Sequence, residues 1–142
     1  MEKDKRNYKI GEVYFMEFGG RGNEQRGWRP GVIFQNDIGN AHSPNIIALP
    51  LTTAIKKETM PTHVVLHAKE TGLPKDSMVL CENPECISKT RIGDYITKIP
   101  DSYMEKIAEA NIYATSAIAF INPESLMYIW QKASSMVSVK GG

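Results

Sequence analysis

Apolar and polar positions along the chain fall into short alternating runs divided by turn residues, and this is the pattern of a mainly β protein. Ile10 to Phe18 (IGEVYFMEF) alternates Val13 and Phe15 against Tyr14 and Met16. Apolar residues at both parities imply a strand covered on two faces, or covered on one and used as an interface on the other. Gly31 to Gln35, Asn45 to Leu51, Thr62 to His67 and Ser77 to Cys81 follow as strand candidates rich in Val, Ile and Leu, and Ile92 to Ile99 is a further one. Their regular spacing suggests a small barrel. Pro30 fits the threshold of the second strand and Pro50 a strand end or bulge, since proline cannot donate to a ladder. After Pro100 the period changes. Ser102 and Glu105 have capping-box spacing, and Met104, Ile107, Ala108 and Ala114 to Ile118 continue a helical stripe, predicting a helix of about five turns. From Asn122 the chain predicts a helix stop at Pro123, a short second helix and a frayed end. This divides it into a domain over 1–121 and an extension over 122–142.

At 142 residues the chain fits one core, which buries about two-thirds of the surface exposed on unfolding and requires no metal or disulfide. Lys plus Arg number 17 against 16 Asp plus Glu, a balance that argues against a long footprint on duplex DNA. The charged start MEKDKRNYKI has no signal-like apolar run, and no apolar stretch approaches the roughly 20 residues that span a bilayer, so a cytoplasmic protein is expected. Cys81 and Cys86 stand in a C-x4-C spacing with no second pair nearby. They read as reduced thiols, one of them packed.

Gly19 to Asn40 carries the densest candidate chemistry: a Gly-rich loop, GGRGNEQRG, then WRPGVIFQND and IGN. It sets Arg21, Glu24, Gln25, Arg26 and Arg29 beside an apolar strand, and backbone freedom in the loop suits closure over a phosphate-bearing ligand.

Taken in order, GEVYF, G-N-E-Q-x-G-x-R-P, QNDIGN, the SP of AHSPN, PLTTAIKK, PTHVV, GLPKDSMVL and the glutamate of CEN resemble the blocks of the MazF/PemK toxins, over roughly Ile10 to Phe120. These are endoribonucleases of bacterial toxin and antitoxin pairs. The resemblance implies an SH3-like small barrel of curved antiparallel sheet with a C-terminal helix, assembled as a homodimer. It also implies metal-independent, sequence-selective cleavage of single-stranded RNA by 2′-hydroxyl attack, leaving a 2′,3′-cyclic phosphate and a 5′-hydroxyl. No cofactor or metal is expected, and the implied partners are mRNA and a cognate antitoxin.

By the same resemblance the catalytic arginine is Arg29 and the catalytic threonine Thr52. A planar guanidinium matches phosphate oxygens, and a hydroxyl donates to a non-bridging oxygen as charge develops there. An arginine is a poor base, so Arg29 is assigned charge stabilisation and leaving-group protonation, with Glu24 as the assisting base. Trp28 is a candidate for stacking on a base or for packing. The remaining substrate-binding candidates are Gln25, Asn36, Thr53, Ser77, Glu82 and Asn83, the carboxylate and amide of the last two being suited to base edges. His63 falls on a predicted strand with no carboxylate partner identifiable, and a structural role is expected for it. The chain departs from the family's E-Q-I-R-T at Glu82, Asn83, Pro84, Glu85 and Cys86, which predicts weaker local phosphate affinity. Two competing readings are a non-catalytic toxin or RNA-binding or gyrase-contacting protein on the same barrel, and an unrelated metal-dependent nuclease. The latter is disfavoured because the acids form no paired cluster with ligand spacing.

Overall fold

A computed structural model describes residues 6–19, 26–55 and 60–137 of the chain. Seven strands and four α-helices follow in the order β1 (Glu12–Gly19), β2 (Arg26–Ile33), α1 (Asp37–His42), β3 (Asn45–Thr52), β4 (His63–Leu66), α2 (Ala68–Thr71), β5 (Ser77–Leu80), β6 (Glu85–Ser88), β7 (Ile92–Lys98), α3 (Asp101–Ala114) and α4 (Leu126–Ser134). The strands form one antiparallel sheet in the order β4-β5-β3-β2-β1-β7, with β6 paired to β3 off that path. The described pairings leave β4, β6 and β7 as edges, so the expected small barrel is not closed.

Strand β3 is shared between two halves of the sheet. Its first part, Asn45 to Ala48, pairs with β6, whereas Leu51 and Thr52 pair with Val79 and Met78 of β5. Pro50 stands at the handover, where a missing N–H costs least. Pro30 lies inside β2, opposite Phe15, rather than at its threshold. It is tolerated there because β3 runs beside β2 only at Gly31–Ile33, leaving one side of Pro30 without a ladder.

Alternation along the strands supplies two cores, one on each face of the sheet. Val13, Val32, Leu49 and Leu51 join Val64, Leu66, Val79 and Cys81 beneath Tyr103, Ile107 and Ala110 of α3. Their neighbours in sequence, Tyr14, Met16, Ile33 and Ala48, turn the other way and pack with Tyr8, Phe18, Ile46, Ile87 and Ile92. The first strand is thus covered along the face of Tyr14, Met16 and Phe18, and on the other face at Val13 but not at Phe15, which is exposed. Burial of each such side chain contributes roughly 1.5–3 kcal/mol, and the sheet gains from both faces at once.

Two further contacts tie the short elements to this frame. Tyr103 Oη donates to Glu70 Oε2 at 2.6 Å and Thr97 Oγ1 donates to the Thr71 carbonyl at 2.7 Å, so α2 is clasped between α3 and β7. Gly72 ends α2 at φ 78°, in the left-handed region that glycine enters without strain.

Helix α3 begins directly after Pro100 and its N-terminus has no side-chain cap, so the Ser102–Glu105 capping box does not form. Ser102 is already inside the first turn. The helix spans 14 residues, about four turns rather than five, and ends at Ala114 because Thr115 is extended. Pro123 opens a 3₁₀ turn as its first residue instead of stopping a helix, and α4 follows from it. The expected frayed end lies largely beyond the described residues. Among those residues no helix is long and apolar enough to cross a membrane.

Candidate active site

The two residues assigned to phosphate chemistry come from the neighbouring strands β2 and β3 and line one depression. Strand β2 pairs with β3 as Gly31 with Pro50, Val32 with Leu49 and Ile33 with Ala48. That pairing stops at Gly31, and Leu51 and Thr52 pair with β5 instead, so Arg29 and Thr52 stand just beyond the last β2–β3 pair. A depression of about 260 Å³ opens at this point, lined by Arg29, Pro30, Leu51, Thr52, Thr53 and Ser77. Arg29 and Thr52 are both half-buried. Their backbones lie within strands, which fixes them more tightly than a loop would. The Thr52 hydroxyl accepts from the Ala54 amide at 3.1 Å, a bond that orients its lone pair and leaves its proton to donate elsewhere.

Gly31 permits the underlying packing. A Cβ there would stand 2.7 Å from the Phe18 ring and 3.0 Å from the Met16 sulfur, so only glycine lets these side chains pass beneath the strand that bears Arg29. Ser77 is buried at the floor, its hydroxyl donating to the Lys75 carbonyl at 2.9 Å.

Other sequence candidates are placed apart. Trp28 is adjacent to Arg29 in a strand and therefore turns to the opposite face, where it stacks on Phe15 with ring centroids 6.0 Å apart and an interplanar angle of 15°. It remains half exposed. Asn36 caps α1, its Oδ1 accepting from the Gly39 amide at 2.9 Å. The rest of the QNDIGN block is likewise engaged in structure. Asn40 donates to the Gln35 carbonyl and to Asp37 Oδ1, and Asp37 Oδ1 also accepts from the Ile10 amide at 2.8 Å. Asn83 follows β5 in a turn, its amide donating to the Leu80 carbonyl at 3.1 Å. Glu24 and Gln25 lie outside the described residues.

Glu82 has a partner that sequence reading did not find. Its Oε2 lies 2.7 Å from His63 Nε2, across the gap between β4 and the turn after β5. The expectation that His63 lacks a carboxylate is therefore corrected. These residues are 19 apart in sequence, and only the pairing of His63 with Leu80 on β5 brings them together. His63 Nδ1 and Glu82 Oε1 are buried without a hydrogen-bond partner among the described residues. The pair lies beside a second depression, about 440 Å³, whose walls include His63, His67, Lys106, Glu109 and Tyr113.

Both cysteines are free, as expected, with Cys81 buried and Cys86 exposed. Burial, reinforced by the neighbouring Glu82 charge, pushes the Cys81 thiol up to about 12, so it stays protonated and inert. Glu85, the acid that replaces an arginine of the family pattern, accepts from the Gly19 amide at 2.9 Å. It pins the end of β1, where the Gly-rich loop departs, to β6.

Residues 9–112 match the sequence family of PemK-like, MazF-like toxins of type II toxin-antitoxin systems. The chain belongs to the PemK/MazF toxin family. It is 42% identical over 113 residues to Endoribonuclease EndoA of Bacillus subtilis (strain 168), an alignment covering 79% of this chain and 97% of the relative. Among solved structures it is similar to an endoribonuclease in complex with its cognate antitoxin from a Mycobacterial species, at 28% identity and a TM-score of 0.62, over 82% of this chain and 99% of that one. A MazF from Deinococcus radiodurans, at 18% identity and a TM-score of 0.66, covers 82% of this chain and 100% of its own, and shows the shared PemK/MazF fold.

Proposed function

We propose that this PemK/MazF chain is an endoribonuclease that cleaves single-stranded RNA at a short recognition sequence without a metal ion, as the toxin of a toxin-antitoxin pair. The observation that carries this reading is the convergence of Arg29 and Thr52 on one depression from two neighbouring strands. The 42% identity to EndoA over nearly all of that protein's length supports it. At about 260 Å³ the depression is small beside the roughly 300–1,000 Å³ of pockets that engulf a ligand, which suits a phosphodiester gripped from one side.

In the proposed reaction the RNA supplies its own nucleophile, the 2′-hydroxyl, and no covalent enzyme intermediate forms. The 2′-oxygen attacks phosphorus, the 5′-oxygen leaves, and the products are a 2′,3′-cyclic phosphate and a 5′-hydroxyl. Arg29 places a permanent charge against the phosphorane oxygens and protonates the leaving oxygen, while Thr52 donates to a non-bridging oxygen. Glu24, on the Gly-rich loop, takes the 2′-proton. Glu82 and Asn83, with Gln25, Trp28, Asn36, Thr53 and Ser77, are the residues proposed to bind or read flanking nucleotides. For Glu82 this requires exchanging His63 for a base edge, or keeping His63 as the group that aims it.

The proposal extends to a cytoplasmic homodimer neutralised by an antitoxin, supported by the solved relative described in complex with its cognate antitoxin. The test is incubation of the protein with a mixed RNA in EDTA, with Arg29→Ala and Thr52→Ala as controls, and mapping of new 5′ ends. Discrete sites lost in both variants support the reading. Cleavage that disappears in EDTA and returns with magnesium, or no cleavage at all by the wild type, defeats it.

A further inference from the structure

Strand β2 carries an aromatic ring and a cation side by side along a margin that β3 leaves free. Its pairing with β3 stops at Gly31, so among the described strands β1 alone holds Trp28, Arg29 and Pro30 in the ladder. Arg29 and Pro30 both line the depression, although consecutive strand residues turn to opposite faces, so the opening is reached from both faces of the sheet. In the β1 ladder Pro30 stands opposite Phe15 and Trp28 opposite Glu17, which sets these four residues on one face. Trp28 therefore lies on the Pro30 side of the opening, two residues or about 7 Å along the strand.

Here the fold leaves aromatic surface uncovered. Phe15 is 40% exposed and Trp28 50%, and their rings stack nearly parallel. The indole is set against Gly93 of β7, where a Cβ would stand 3.3 Å from the ring and 3.0 Å from the Phe15 carbonyl oxygen. A larger residue there would press the ring out of its stack. Held by Phe15 and by the bare backbone of Gly93, Trp28 is positioned in advance, so little ordering cost remains for a ligand that stacks on it.

Size and charge select the occupant. At about 150–250 Å² for each aromatic side chain, the exposed fractions leave on the order of 200 Å² of ring surface, well under the roughly 800 Å² that one side of a stable protein interface buries. That suits one flat ring rather than a protein face. The carboxylate on this face, Glu17, is paired with Arg91, Nε to Oε1 at 3.2 Å, so its charge is offset where a polyanion would pass. We infer that Phe15 and Trp28 form a stacking platform for one unpaired base of the RNA, adjoining the nucleotide whose phosphate enters the Arg29–Thr52 depression. The inference rests on the nuclease reading above, adds Phe15 to the residues named there and makes stacking the mode of contact at Trp28. A base held this way is bound by its face and not its edge, so the platform contributes affinity at one position with only a modest preference among bases.

The test uses the full chain carrying Trp130→Phe, which leaves Trp28 as the one tryptophan, and a short RNA spanning a mapped cleavage site with a 2′-deoxy residue at the cut, so that it binds without reacting. Binding is expected to quench Trp28 fluorescence. Replacing the bases one at a time by abasic residues is expected to weaken binding about tenfold or more at one position flanking the cut, and to abolish the quench there. Trp28→Ala, read by the anisotropy of a labelled RNA, is expected to weaken binding of the intact RNA by the same factor and to have no further effect on that abasic RNA. Trp28→Phe should recover most of the affinity and Trp28→Leu little. This coupling of one base to one ring is a readout that a merely structural role would not move. Should Trp28→Ala alter the circular dichroism spectrum, Phe15→Leu carries the same expectation. Equal losses for every abasic RNA, or none, overturn the inference. So does a lower sedimentation coefficient for Trp28→Ala with RNA affinity intact, which would make this face a contact between protein chains. Wild-type protein that cuts and binds RNA without the coupling defeats this inference alone, whereas wild-type protein that neither cuts nor binds RNA defeats the nuclease reading with it.

Discussion

The Arg29–Thr52 depression and the His63–Glu82 pair are both polar groupings that neighbouring strands bring together, yet they differ in what their groups face. Arg29 and Thr52 line an open depression with Thr53 and Ser77 around them. His63 and Glu82 meet each other at 2.7 Å, with side chains only 11% and 30% exposed. The first arrangement sets a guanidinium and a hydroxyl around an opening, the arrangement on which the proposed phosphate chemistry rests. In the second, much of the carboxylate's interaction energy is already used within the fold. The two groupings thus differ in openness: one lines a depression, and the other is closed on itself by an ion pair.

The largest expected effect lies at Arg29. Arg29→Ala should lower single-turnover cleavage at least about 10³-fold, roughly 4 kcal/mol of transition-state stabilisation, and Arg29→Lys should recover little because an ammonium lacks the planar fork. A loss below tenfold in quench-flow assays would remove the distinction between the sites. Thr52→Ala should cost about 10²-fold, and Thr52→Ser should restore most of it, since the hydroxyl and not the methyl acts on the phosphate.

At the other site the expected order of effects reverses. His63→Leu leaves Glu82 partly buried without its partner and should cost about 1–3 kcal/mol in urea denaturation, while cleavage changes by no more than a few-fold. If it abolishes cleavage with stability unchanged, the pair belongs to the reaction and not to the scaffold. Glu82→Gln sharpens the point: a changed cleavage-site preference with an unchanged rate assigns it to base reading.

The smallest effect concerns Cys81, which neighbours Glu82. Burial holds its folded pKa at about 12, above the ordinary 9.0 of a free thiol, so the unfolded chain loses this proton first as pH rises. Stability from this group is full below pH 9 and is lost as pH approaches 12. Cys81→Ala should therefore flatten the decline in denaturation midpoint between pH 9 and 11. Alkylation at pH 8 should label Cys86 and spare Cys81 until the protein unfolds.

Strands β1, β3, β4, β5 and β7 were legible because each keeps apolar residues in a short run between turn residues. Strand β6 was not. Glu85-Cys86-Ile87-Ser88 has one buried apolar residue, and it is held by pairing with Asn45 to Ala48, a long-range contact with little local signature. β2 starts five residues earlier than its apolar run suggests, because pairing with β1 extends the strand through Trp28, Arg29 and Pro30. Arg29 and Thr52 were singled out through ordered motif blocks, whereas their meeting at one depression depends on the folding of β2 beside β3, which no local pattern encodes. His63–Glu82 escaped for the same reason. The helices α1 and α2, of six and four residues, are too short to show a period, and the side chains of the QNDIGN block look like substrate ligands until their caps are seen.

Strand β3 begins beside one neighbour and finishes beside another, and Thr52 rides its far end while Arg29 rides β2. The spacing of guanidinium and hydroxyl is therefore set by the coil of the whole sheet. A binding partner that twists one half of the sheet against the other would widen or narrow the opening between Arg29 and Thr52 from a distance, without touching either residue.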